Sequence, residues 1–111
     1  PAVLRMLRWI SDAAHREGIR LAMCGEMAAE PLYSVVLLGF RFHELSMSPS
    51  TIPVVREILS RSNLRSARDL VDGLFQHATY TEVEQQVLQY MWRNFRDLRT
   101  VLGGDIDRKA R

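Results

Sequence analysis

The sequence predicts an α/β fold whose strands run parallel, followed by a wholly helical C-terminal stretch. Three observations lead there. Over the first 61 residues, segments of helical apolar spacing alternate with short apolar runs of strand type. Gly18, Pro31, Gly39 and Pro53 punctuate the junctions. Beyond Arg61 only helical spacing remains. The order helix, strand, helix, strand, helix implies parallel strands joined by right-handed crossovers.

In the first helix, Ala2 to Arg16, the residues Val3, Met6, Leu7, Ile10, Ala13 and Ala14 recur at helical spacing, and Gly18 stands where a left-handed stop belongs. Ile19 to Cys24 is nearly continuous in apolar character apart from Arg20, the pattern of a strand buried on both faces in a parallel sheet. Pro31 suits the first turn of the next helix, whose apolar run Leu32 to Leu38 is closed by Gly39. His43 to Met47 is compatible with a second strand. Ser48 to Thr51 supply turn and capping residues, Pro53 fits another first turn, and Val54, Val55, Ile58 and Leu59 make a buried stripe.

Asn63 can cap a helix carrying Leu64, Ala67, Leu70, Val71, Leu74 and Phe75. Thr81 with Glu84 three residues later reads as a capping box for a last helix running from Glu82 to Leu102. Its broad apolar side holds Val83, Val87, Tyr90, Met91, Leu98 and Leu102, with Trp92 and Phe95 flanking, and Gly103 and Gly104 end it. The chain thus divides into residues 1–61, carrying both strands, a helical segment at 62–103, and a mobile, mostly charged tail at 104–111.

Composition bounds the function classes. The chain has 111 residues, 47% of them apolar, with five Met and nine aromatics, which suits one folded core and excludes a disordered chain. Fifteen basic residues against thirteen acidic ones leave a net charge of only +2, with the signs interspersed. A nucleic-acid binder needs a concentrated basic face, so none is expected as a partner. No run approaches the roughly 18 consecutive apolar residues of a membrane span. One cysteine excludes an internal disulfide and fits a reducing, cytoplasmic setting.

Two strands do not make a sheet that stands alone, because their outer edges carry unpaired backbone groups. The chain also opens on Pro1, directly in a helix pattern. An upstream segment is therefore expected, and an isolated copy is expected to self-associate or exchange strands.

The lone thiol, Cys24, would lie at the carboxyl end of the first strand, the edge where parallel α/β folds assemble active sites. A lone cysteine is equally suited to being a small buried hydrophobe, and spacing leaves both readings open. Gly25 beside it would let backbone or ligand approach closely, and Glu26 follows as a candidate polar contact. Ser46, Ser48, Ser50 and Thr51 begin a helix, where they serve either as ordinary caps or as a phosphate site, capping being the commoner use. His43 reads as a strand-edge residue, and His15 and His77 lie near helix ends, where a cation is modestly favoured.

"MCGEMA" at Met23 to Ala28, "LLGF" at Leu37 to Phe40 and "ELSMSPSTIP" at Glu44 to Pro53 resemble the C-terminal end of phosphoenolpyruvate-utilising enzymes, most of all the phosphoenolpyruvate-protein phosphotransferases, Enzyme I of the phosphotransferase system, of the sugar or nitrogen-related branch. "PAVLRMLRWISDAAHREG" looks like the helix before that family's cysteine strand, so the resemblance covers Pro1 to about Leu59. It implies the terminal two strands of a (β/α)8 barrel, a TIM barrel that binds phosphoenolpyruvate and Mg²⁺. It also implies phosphate transfer to a histidine on another domain and on to a histidine phosphocarrier protein, with release of pyruvate, in a homodimeric enzyme. The implied role of Cys24 is to protonate the pyruvate enolate. Gly25 and Glu26 are carried as substrate-binding candidates. The metal carboxylates and the acceptor histidine would lie outside this chain, which alone should be inactive.

A free thiol titrates near pH 8.5, so it is mostly protonated at neutral pH yet able to exchange a proton both ways, which suits that role. Phosphoenolpyruvate synthases and pyruvate phosphate dikinases share the Cys-Gly-Glu segment and are the alternative in the same chemistry. A stand-alone dimerisation or regulatory module is the alternative from another class. One departure stands out: Ala29-Glu30 occupies the place where the family commonly has Gly-Asp. Alanine disfavours positive φ, so a turn that needs it would have to differ here.

Overall fold

The computed structural model describes residues 1–98. Helix α1 spans Ala2–Arg16 as its periodicity predicts. It ends in a Schellman motif: Gly18 takes φ +67°, its N–H donates to the His15 carbonyl, and the Ile19 N–H donates to that of Ala14. The predicted apolar stripe splits in two. Of its members Leu7 and Ala14 are buried, joined by Leu4 and Ser11 from outside it, whereas Val3, Met6 and Ile10 are 43–55% exposed, and Trp9 beside them is 76% exposed.

Strand β1, Ala22–Met23, pairs in parallel with β2, Glu44–Leu45, in the register Ala22 to Glu44 and Met23 to Leu45. The parallel direction agrees with expectation, but both strands are shorter than the runs Ile19 to Cys24 and His43 to Met47, and β1 is not buried on both faces. Ile19, Arg20 and Ala22 are exposed. With a single partner strand the ladder is confined to where the two chains meet. Leu21 lies just outside it, its N–H donating to the His43 imidazole Nδ1 at 2.9 Å.

Between the strands, a short helix α2, Glu26–Ala29, follows Gly25 directly. A 3-10 turn at Pro31–Tyr33 then leads into α3, Ser34–Gly39, so the one helix expected here is built of two geometries. Helix α3 is the centre of the molecule, with Val35, Val36 and Leu37 at most 1% exposed. Its end corrects a sequence expectation. The left-handed residue is Arg41, φ +65°, whose N–H donates to Leu38 while Phe42 N–H reaches Leu37. Gly39 instead serves close approach: a Cβ there would meet the Ala67 carbonyl and lie 2.5 Å from Val71 Cγ2.

Helix α4, Ile52–Ser60, buries Val55 and Ile58, with Val54 and Leu59 at its edges. Helix α5, Leu64–Leu74, is capped by Asn63, whose Oδ1 accepts from Ser66 N–H at 2.8 Å. Helix α6, Tyr80–Asn94, begins with a capping box made by Thr79 and Glu82, two residues before the predicted Thr81 and Glu84. Glu82 accepts from the Thr79 and Ala78 N–H groups, while Glu84 is engaged by the Tyr80 hydroxyl at 3.0 Å. The long helix expected to reach Leu102 stops at Asn94, and a 3-10 turn follows at Arg96–Leu98. Phe95 explains the break. It is 3% exposed, the Arg61 guanidinium lies 5.2 Å from its ring centre, and Arg61 also grips both Asp97 oxygens at 2.9 Å. The expected stop at Gly103 and Gly104 and the tail at 104–111 lie outside the described residues.

One core runs from Leu4 and Leu7 of α1 through α3 to Leu70, Leu74, Val87 and Met91 of the C-terminal helices. A second arginine clamp closes it: Arg8 lies 4.5 Å from the Phe75 ring centre and bonds Asp72 at 2.8 Å. Within the core, Ser34 Oγ is fully buried and has no hydrogen-bond partner among the described residues.

Two outcomes are expected in urea unfolding. Gly39→Ala destabilises by about 3 kcal/mol, since backbone must move to admit a methyl group. Arg41→Gly stabilises by about 1 kcal/mol, by removing a side chain from a left-handed position. Acid titration offers a further check. The backbone N–H of Thr79, its hydroxyl and the Ala78 N–H hold the Glu82 carboxyl below its usual range. A carboxyl depressed in the folded state contributes stability above its unfolded value, near pH 4.3, and loses it as pH falls through the folded value. The stability difference between the protein and its Glu82→Gln variant should therefore shrink as pH drops below about 4.3.

Candidate functional site

The carboxyl ends of β1 and β2 form the candidate site. Successive strand residues face opposite ways, so Ala22 and Glu44 share one face of the pair and Met23 and Leu45 the other. The second face is half-buried against the helices; the first is exposed. The pairing extends one step past β2, where Ser46 N–H donates to the Met23 carbonyl at 2.8 Å. This brings Cys24 and Ser46 side by side at the strand ends. A cleft of about 410 Å³ opens there, lined by Cys24, Glu44, Ser46, Met47 and Ile52 among others.

Cys24 is a free, exposed thiol, which removes the buried-hydrophobe reading within this chain. Gly25 holds φ +98° and ψ −165°, a conformation that L side chains rarely adopt, and through it the chain turns from strand into α2. A Cβ at Gly25 would meet no neighbour within 4 Å, so backbone geometry, not crowding, calls for glycine. Glu26 is the first residue of α2 and is exposed. Gly25 and Glu26 flank the cleft, whereas Cys24 lines it. Ala29 is helical without positive φ, so the departure at Ala29-Glu30 is absorbed without strain.

Two features of the cleft escape a reading of the sequence. Glu44 is ion-paired with Arg20 at 2.6 Å, and Ser46 stands beside Cys24. Only the register reveals either, although the alternation of Glu44 and Ser46 about Leu45 is a signal once the strand is located. The hydroxyl group expected to cap α4 does not do so. Thr51 makes no side-chain cap bond, and Ser48 Oγ bonds Ser50 Oγ and Thr51 Oγ1 instead, each at 3.2 Å.

The histidines are engaged in local structure. His15 and His43 stack with ring centres 5.4 Å apart, His15 Nδ1 meets the Ser11 carbonyl at 2.7 Å, and His43 Nδ1 accepts from Leu21. His77 bonds Gln86. Among the described residues no three His, Cys, Asp or Glu side chains converge to hold a metal ion.

Gly25→Ala is expected to destabilise by about 1–3 kcal/mol, because the strand-to-helix turn would carry a Cβ at positive φ. Paired urea curves for this variant and an Ala29→Gly control measure it. A loss no greater than that of the control would show that the turn does not depend on glycine.

Comparison with known proteins bears on what the cleft does. Residues 1–64 match the family described as PEP-utilising enzyme, PEP-binding domain. A phosphoenolpyruvate-protein phosphotransferase of Haemophilus influenzae is 32% identical over 94 residues, 85% of this chain and 16% of that protein. One of Haloferax volcanii is 39% identical over 85 residues, 77% of this chain and 15% of that protein. An Escherichia coli protein named phosphoenolpyruvate-dependent phosphotransferase system is 34% identical over 93 residues, 84% of this chain and 12% of that protein. The chain therefore spans about one sixth or less of these relatives. With a family match over more than half its length, and with the parallel strand pair and exposed strand-end thiol inside the matched residues, this chain belongs to the PEP-utilising enzymes, within their PEP-binding domain.

Proposed function

We propose that this chain is a C-terminal part of a phosphoenolpyruvate-protein phosphotransferase, in which it forms the last two strand–helix units of a (β/α)8 barrel. The observation that carries the reading is an exposed thiol at the carboxyl end of a parallel strand, in a chain of this family. The names of the relatives support the activity. The barrel reading is supported by what this chain leaves uncovered: the sheet face of Ala22 and Glu44, and the α1 stripe of Val3, Met6 and Ile10. Such surfaces suit a closed barrel interior and a neighbouring strand–helix unit.

In this reading phosphoenolpyruvate loses its phosphoryl group to a histidine of another domain, leaving the enolate of pyruvate. Cys24 supplies the proton. Its S–H bond breaks, a C–H bond forms at the methylene carbon, the enolate oxygen becomes the ketone oxygen, and the thiolate recovers a proton from solvent. The reverse reaction runs the same proton back. The cleft position fits, since Cys24 lies where barrel enzymes gather their reacting groups and Gly25 gives the backbone turn that leaves the thiol exposed. Gly25 and Glu26 border the substrate, while Mg²⁺ would be held by parts of the parent outside this chain. A histidine phosphocarrier as next acceptor, a homodimeric parent and a cytoplasmic setting belong to the same proposal. Among the described residues no helix is long and apolar enough to cross a membrane.

In the full-length protein, Cys24→Ala is expected to cut proton exchange at the pyruvate methyl group by about 10² to 10⁴-fold, the usual contribution of a positioned acid. Phosphoenolpyruvate binding should change little. Methyl-group exchange into D₂O, followed by NMR, measures the first, and titration calorimetry the second. Exchange at the wild-type rate would sink the assignment of Cys24.

A further inference from the structure

The turn that follows α6 reaches the back of the Cys24 cleft. Val54, Glu57 and Arg61 recur at three- and four-residue spacing and so share one face of α4, and the 3-10 turn Arg96–Leu98 lies along that face. At the far end of α4, Arg61 grips both Asp97 oxygens at 2.9 Å and approaches Glu57 at 3.8 Å. Toward its start, Leu98 lines a cavity of about 510 Å³ with Thr51, Pro53 and Val54, shared with Ala29 and Pro31 at the exit from α2. Leu98 is half-buried against the core, and its N–H donates to the Phe95 carbonyl at 3.1 Å. Ile52, between Thr51 and Pro53, lines the other cavity, the cleft that holds Cys24. The first turn of α4 is therefore a shared wall, with Cys24 in front of it and Leu98 behind. No side-chain cap anchors that wall, since Ser48 bonds Ser50 and Thr51 while Thr51 makes no cap bond among the described residues.

We propose that the turn after α6 braces the cleft: Leu98 is a positioning residue for the first turn of α4, and Asp97, through Arg61, holds Leu98 in place. The inference rests on the reading of this cleft as the place where the enolate is protonated. Proton transfer requires donor and acceptor to be held at hydrogen-bond distance, so a displaced wall lowers the rate even though nothing on it reacts. An aliphatic side chain suits the task, because it packs without adding a charge near the thiol. The clamp supplies direction. A guanidinium bonded to both carboxylate oxygens and laid over the Phe95 ring fixes the angle at which the turn leaves α6. The companion clamp of Arg8, Asp72 and Phe75 has the same chemistry, but it joins α1 to α5, neither of which lines the cleft.

The test uses the full-length protein and two measurements: methyl-group exchange of pyruvate into D₂O, and the rate of Cys24 alkylation by iodoacetamide, followed on the Cys24 peptide by mass spectrometry. Leu98→Ala and Asp97→Asn are each expected to lower the maximal exchange rate about tenfold, with KM changed by less than about twofold. Alkylation should quicken by about threefold or more as the wall loosens. Leu98→Met, of similar volume, should restore both values. Asp72→Asn removes the carboxylate of the companion clamp and should leave both at the wild-type level, which separates positioning from a general loss of stability. Leu98→Ala with either quantity unchanged, or equal effects in Asp72→Asn and Asp97→Asn, overturns the brace. The two readings fail separately. Loss of exchange in Cys24→Ala with no change in Leu98→Ala removes only the brace, whereas full exchange in Cys24→Ala removes the proton donor itself, and with it the part played by Leu98 in the reaction.

Discussion

Gly39 sits where α3 meets α5, and the two helices are so close there that a β-carbon would run into the Ala67 carbonyl. Much of the molecule follows from that approach. It brings Val35 and Val36 into one core with Leu70, Val71 and Leu74, and the burial of five of its six residues makes α3 the post around which the other helices are arranged. Removing water from such large aliphatic side chains is the dominant favourable contribution to a fold of this size, at about 25 cal/mol per Å² of apolar surface. The crossover through α2 and α3 carries the chain from β1 to β2, whose spacing is set by their backbone hydrogen bonds.

The arginines show how polar groups serve the same packing. Arg8 and Arg61 each lay a guanidinium over an aromatic ring while pairing with a carboxylate, Asp72 or Asp97. An exposed ion pair alone contributes little, but a guanidinium stacked on a ring covers apolar surface while its edge stays hydrated. Arg61 holds the Asp97 carboxyl below its usual range through their paired hydrogen bonds. This clamp, with Phe95 beneath it, turns the chain out of α6. At the cleft the balance differs. Arg20 and Glu44 neutralise each other on the strand face, and the thiol is left with hydroxyl and thioether neighbours in place of a fixed charge.

How much was legible varied with the range of the interaction responsible. The boundaries of α1 and its glycine stop, the Asn63 cap and the parallel direction of the strands came from local spacing and punctuation, and the structure agrees with them. The capping box lay two residues from its expected place because Thr79 with Glu82 and Thr81 with Glu84 satisfy the same spacing, and only the entry of the chain into α6 chooses between them. The end of α6 was missed for a different reason. Phe95 and Leu98 continue an apolar stripe in sequence, but Phe95 is drawn under Arg61, 34 positions earlier, and no helical period contains that information. At the site, Cys24 was visible as a thiol at a strand end, whereas Ser46 and the Arg20–Glu44 pair became visible only with the register.

By itself, then, the sequence determined which segments bury an apolar face, that Gly18 stops the first helix and that Pro31 and Pro53 open helical turns, and which motifs tie the chain to its family, because each depends on residues only a few positions apart. Tertiary structure decided that the left-handed residue after α3 is Arg41 and not Gly39, that Val3, Met6 and Ile10 stay outside this core, and that Cys24 shares a cleft with Glu44 and Ser46. Those outcomes depend on which distant surfaces meet and in what register. A shift of one residue in a strand turns every side chain to the opposite face, and nothing in the local pattern carries the free energy that chooses between the two.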